Sequence, residues 1–88
     1  MMLIDRAART LTSAMGDLPW DRLDAEARDR ARECVRAILR ELRDPDMAMA
    51  EAGAEIIRNV GPAETPEAHL NDAQNVWRFM IDQLLDQH

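Results

Sequence analysis

Residues 65–87 read TPEAHLNDAQNVWRFMIDQLLDQ, and this stretch decides the fold. Thr65, Pro66 and Glu67 supply a capping hydroxyl, a proline suited to the first helical position and an acid favourable to the helix dipole. Beyond them Leu70, Ala73, Trp77, Met80, Ile81 and Leu84 recur every three to four residues, with Leu85 flanking. That spacing predicts a helix over 66–87 with one continuous apolar face.

Working outward toward the N-terminus, Gly61-Pro62 is a helix stop followed by a residue that cannot continue the helix. It closes a predicted helix over 45–60, started by Asp44 as cap and Pro45 at the first position. This helix would turn Met49, Ala52, Gly53, Ile56, Ile57 and Val60 to the core. Gly53 costs the helix about 1 kcal/mol relative to alanine, which implies that another backbone crosses closely there, the alternative being drift in a helix that tolerates an isolated glycine. Upstream, Asp24 caps a helix over 25–43 whose apolar face is Ala27, Ala31, Cys34, Val35, Ile38 and Leu42, with Leu39 at its edge. A first helix over 3–15 aligns Ile4, Ala8, Leu11 and Met15 and stops at Gly16. In the intervening turn, Trp20 is too large to leave in water and is expected to plug the core beside Leu23.

Four helices joined by short connections leave no segment for a strand. The expected fold is all-α: a four-helix bundle-like domain over 1–88, complete alone or through dimerisation with a second copy. With 88 residues there is enough chain for one modest core and no second one. At 47% hydrophobic and 32% charged, the composition excludes both an intrinsically disordered chain and a membrane span. Asp5 and Arg6 stand where a secretory signal needs its apolar region, so a cytoplasmic protein is expected. The single cysteine, Cys34, falls in the apolar pattern and reads as a buried, inert thiol.

Trp20, then Arg43-Asp44-Pro45 leading into Met49 and Ala52-Gly53, then Trp77-Arg78-Phe79-Met80-Ile81-Asp82, give a pattern covering most of the chain. In this order it resembles small phage and prophage-type proteins of GC-rich, chiefly alphaproteobacterial genomes. The resemblance implies a phage-type accessory protein of a bacterial host cytoplasm that acts by stoichiometric binding. Anti-defence (anti-CRISPR-like) inhibitors are one class of such proteins. It implies no catalytic residues.

The catalytic inventory is nearly empty. Ser13 lies on a helix without a nucleophile turn, so no Ser-His-Asp arrangement is expected. His69 with Asp72 and Glu64 or Glu67 lacks the spacing of a metal site, and His69 is expected to be solvated. Gly16, Gly53 and Gly61 are too dispersed for a phosphate cradle. The chain therefore reads as no enzyme, with no cofactor and no metal.

Charge distribution is more informative. All 11 basic residues are arginine, against 17 acids, net −6. Residues 22–43 hold seven arginines against five acids, net +2; residues 44–88 hold nine acids against two arginines, net −7. Arg28, Arg32, Arg36, Arg40 and Arg43 form a row on the second helix. The row fits nucleic-acid phosphates, pairing with acids elsewhere in the chain, or a solvated face. The acidic half disfavours nucleic acid, and GC-rich codon usage alone accounts for the missing lysine.

On the last helix Phe79 lies nearly opposite Trp77, among Asp72, Asn75, Asp82 and Asp86, with Val76 flanking the core face. Met47 is similarly placed on the outside of the third helix. An exposed aromatic ringed by acids fits an interface anchor; a helix buried on two sides, or a scattered surface apolar residue, fits equally. The preferred expectation is a non-enzymatic protein-interaction module binding through Phe79, Val76, Met47, Asp72, Asp82 and Asp86. The partner would be a host or phage protein, or a homodimer mate. The alternative is a nucleic-acid-binding regulator using the arginine row.

Overall fold

The computed structural model describes residues 2–61 and 63–86. The chain is all-α, as expected: helices α1 (Leu3–Ala14), α2 (Ala25–Leu42), α3 (Met47–Val60) and α4 (Pro66–Leu85), a 3-10 turn at Trp20–Arg22, and no strand among the described residues. Pro62, expected just beyond a helix stop, and the last two residues, where α4 was expected to end, lie outside the described residues. The chain divides into two compact units. One is built from the residues up to Glu41 with those from Leu84 onward, the other is Leu42–Gln83.

In the first unit, α1 ends where Gly16 takes a φ of +78°, a conformation open to glycine at little cost. The Asp17 amide then donates back to the Thr12 carbonyl at 3.0 Å. Asp24 caps α2 by accepting the Ala27 amide at 2.8 Å. Between these helices Trp20 is buried in a cluster with Ile4, Ala8, Ala31 and Val35, against which Leu11, Leu23 and Leu39 pack. The indole is bracketed by charge: the guanidinium carbons of Arg28 and Arg32 lie 5.5 and 5.4 Å from its ring centre.

Several residues assigned to this core are exposed instead. Met15, Cys34 and Ile38 face solvent, as does Leu42 at the end of α2. Trp20 packs along the line of Ala31 and Val35, and Cys34 sits about 100° round the helix from Val35, off that line. Thr12, a polar residue, is buried, and its hydroxyl donates to the Arg9 carbonyl at 3.0 Å.

In the second unit, α3 starts two residues later than expected. Asp46, not Asp44, is the cap and accepts the Met49 amide at 2.9 Å. Asp44 is engaged elsewhere, accepting Arg78 Nε at 3.1 Å. The helix stops at Gly61 with φ −126° and ψ 64°, so this stop is not left-handed. Thr65 caps α4 through its hydroxyl, which accepts the Ala68 amide at 3.2 Å.

The close crossing inferred at Gly53 is present. A Cβ placed there would lie 3.0 Å from the Cβ of Ala73 on α4. This approach fixes which face of α3 is covered. The line running to α4 is Ala50, Gly53 and Ile57, with Ala50 only 2% exposed and the other two half-buried. Met49, Ala52, Ile56 and Val60, expected in the core, lie on the uncovered side. On α4, Ala73 and Ile81 are buried whereas Met80 is exposed. Burial of Ile81 contributes roughly 2 kcal/mol of apolar transfer free energy.

His69 is the other correction. It is 3% exposed rather than solvated, and its ring Nε2 lies 2.7 Å from the Gly61 carbonyl oxygen. Since a carbonyl can only accept, that nitrogen carries the proton and donates. The contact ties the first turn of α4 to the end of α3.

Candidate protein-binding face on α3 and α4

The residues exposed on α3 are regularly spaced. Met49, Ala52, Ile56 and Val60 stand at i, i+3, i+7 and i+11, the repeat of one helix face. Ile56 is 69% exposed and Val60 85%. On α4, Val76, Phe79 and Met80 lie within one turn and are also exposed, Phe79 at 73%. Between the two helices runs an apolar groove of about 300 Å³, with Gly53 and Ala73 in its lining and Met49, Ile56, Val76 and Met80 at its sides. None of its lining residues is charged.

Of the residues singled out from sequence, Val76 lines this groove, and Phe79 follows it one turn on. Met47 does not join them, because it lies about 200° round α3 from Met49. Asp72 is exposed one turn before Val76, and Asp86 is exposed beyond Phe79. Asp82 has another role: both its carboxylate oxygens accept from Arg43, at 2.7 and 3.1 Å. The Arg43 guanidinium holds the Asp82 carboxyl below the ordinary carboxylate range, and Asp82 in turn raises Arg43.

That pair belongs to a clamp drawing residues 42–44 and 77–82 together. The Trp77 indole N–H donates to the Leu42 carbonyl at 2.6 Å, satisfying a backbone acceptor at the end of α2. Arg78 reaches Asp44 and Arg43 reaches Asp82. The bend between α2 and α3 is thereby fixed to the middle of α4. Sequence reading missed Met49, Ile56 and Val60 as surface residues. The helical repeat was visible, but a repeat identifies a face without saying what covers it.

The arginine row is occupied by its own chain. Arg28 Nε donates to the Trp20 carbonyl at 3.0 Å. Arg32 pairs with Asp5 at 2.6 Å and Asp29 at 2.7 Å, and Asp5 above all raises its pKa. Arg36 and Arg40 both reach Glu33, and Arg43 holds Asp82. The concave surface beside Arg30, Arg32 and Arg36 is lined also by Asp5, Glu26, Asp29 and Glu33. Four carboxylates beside three guanidiniums leave no positive field for a phosphate backbone.

No group of three or more metal-ligating side chains occurs among the described residues, and no described helix is long and apolar enough to cross a membrane. Comparison with protein-family models, with curated proteins and with solved structures returned no match.

Proposed function

We propose that this protein is a non-enzymatic interaction module, of the phage accessory type its sequence resembles, which binds a protein partner stoichiometrically through the exposed face of α3 and α4. One observation carries the reading. Among the described residues, four of the eight buried apolar ones are alanine, Ala8, Ala31, Ala50 and Ala73, while Ile56, Val60, Val76, Phe79 and Met80 stand in solvent. Large apolar side chains left in solvent beside buried alanines are apolar area that a partner can cover. Ile56, Val76 and Met80 line the groove between the two helices, and Val60 and Phe79 stand exposed outside that lining.

An anti-defence inhibitor is one protein that would work this way, by occupying a surface its target needs. The reading rests on the apolar face and not on the net charge. A nucleic-acid-binding role is the weaker reading, because the arginines it would use already have carboxylate or carbonyl acceptors.

The test is a pair of substitutions, Ile56→Asp and Phe79→Asp, each on a residue whose side chain the fold does not bury. Circular dichroism should be unchanged, and the stoichiometric complex, measured as mass by light scattering, should disappear. If both variants keep the oligomeric state and the partner capture of the parent, this face is not the binding surface.

A further inference from the structure

The sulfur of this chain lies outside its core. Met2, Met15, Met47, Met49 and Met80 are all exposed, as is Cys34, and none of the described residues that are buried contains sulfur. Two of these methionines line the α3 and α4 groove, Met49 from α3 and Met80 from α4, 43% and 58% exposed. A peroxide therefore reaches both thioethers while the chain stays folded, and among the described residues the core holds no sulfur that it could turn polar.

The groove has nothing with which to satisfy the product. Among the residues lining it, Trp77 alone has a side chain able to donate a hydrogen bond, and its indole N–H is already given to the Leu42 carbonyl at 2.6 Å. Gly53 and Ala73 lie inside α3 and α4, where the helical ladder takes the backbone amides. A sulfoxide oxygen formed at Met49 or Met80 is solvated while the groove is open. Once an occupant covers it, this chain supplies no donor, and a covered acceptor without a donor opposes binding.

Resting on the reading of this face as a protein-binding surface, we propose that Met49 and Met80 are a paired modification site, at which oxidation by a peroxide turns the α3 and α4 groove from apolar to polar, leaves the fold intact and switches off binding there. An electron pair of each sulfur attacks one oxygen of hydrogen peroxide, and the S–O bond forms as the O–O bond breaks. The departing hydroxide takes the remaining proton and leaves as water. Sulfur is oxidised, the peroxide is reduced, and methionine sulfoxide reductases reverse the change.

The probe is Nile red, an uncharged apolar dye, titrated by fluorescence against the whole 88-residue chain before and after hydrogen peroxide. Peptide mapping should find one added oxygen on each of Met49 and Met80, with the circular dichroism unchanged. The dye should lose about tenfold in affinity, as expected for covering an unpaired polar group, and sulfoxide reductase should restore it. A protein carrying Met49→Leu and Met80→Leu keeps an apolar groove of similar volume without sulfur. Its dye affinity should not respond to peroxide, although it retains Met15, Met47 and Cys34.

An equal loss of affinity in that double variant overturns the proposal, because the sensitive sulfur then lies elsewhere. Resistance of Met49 and Met80 to a peroxide dose that converts Met15 overturns it too, as does an affinity that survives oxidation of both. Collapse of the circular dichroism on oxidation would make the fold, and not the face, the target. In each of these cases the functional reading stands so long as Ile56→Asp weakens the dye. If Ile56→Asp leaves dye binding unchanged, the face is no apolar site, and the proposal and the functional reading fall together.

Discussion

The Cβ that Gly53 lacks would lie 3.0 Å from the Cβ of Ala73 but 3.9 Å from its Cα. The two helices therefore share room for one methyl group at their crossing, and α4 carries it. Gly53→Ala gains helix propensity worth about 1 kcal/mol and spends it on overlap, so its urea midpoint should not rise. Gly53→Ala combined with Ala73→Gly moves the methyl to the other helix with no net change in propensity. The double variant should therefore unfold within about 0.5 kcal/mol of the parent, while Ala73→Gly alone loses about 1 kcal/mol or more. Additive behaviour of the two substitutions would show that the crossing is not tight.

The bidentate pair of Arg43 and Asp82 makes a prediction about acid. Arg43 lowers the Asp82 carboxyl below its ordinary value, so the unfolded chain binds that proton more readily. The stabilisation is present above the ordinary carboxylate pKa of about 3.9 and disappears as pH falls through the lower folded value. Asp82→Asn should thus be less stable than the parent near neutrality, and the difference should shrink as pH falls below the ordinary carboxylate value of about 3.9, in urea unfolding followed by circular dichroism. A constant difference from pH 7 to pH 2.5 would remove the ion pair as its cause.

How far these features were legible follows from their reach along the chain. The caps at Asp24 and Thr65 and the left-handed stop at Gly16 are three-residue chemistry, and each is where local sequence places it. The start of α3 was misplaced because Asp44 and Asp46 are both good caps, and what separates them is Arg78, 34 positions away. The pairing of Arg43 with Asp82 spans 39 positions and no local rule finds it. The groove was half legible. The apolar repeat of Met49, Ile56 and Val60 was plain, but Gly53 rotates the buried line toward Ala50 and leaves that repeat outside. Cys34 was misjudged in the same way, by counting a wide apolar face as wholly covered.

Ile56 and Ile81 separate surface from core experimentally. Both are isoleucines on apolar repeats, yet Ile81 is 3% exposed and Ile56 is mostly exposed. Ile81→Ala removes buried methyl groups and should cost about 2–4 kcal/mol. Ile56→Asp should change stability by no more than about 0.5 kcal/mol in the isolated chain, as surface substitutions do. Should Ile56→Asp prove as destabilising as Ile81→Ala, this face is core and not a docking surface.

His69 tests the join between α3 and α4. Its ring is buried and its Nε2 proton is directed at the Gly61 carbonyl, 2.7 Å away, where α3 ends. Removing the ring leaves a cavity and an acceptor without its partner, two costs that add because one side chain supplied both. His69→Ala should therefore destabilise by about 2–3 kcal/mol in urea unfolding, far more than an exposed histidine would. The Gly61 amide bonds to Ile57 independently of the ring, so α3 itself should persist and its amides keep their hydrogen-exchange protection up to Gly61. The first turn of α4 should lose protection instead, because the ring is what holds that turn to the end of α3. Loss of protection throughout α3 in His69→Ala would show that the contact builds the helix and does not merely join it to the next.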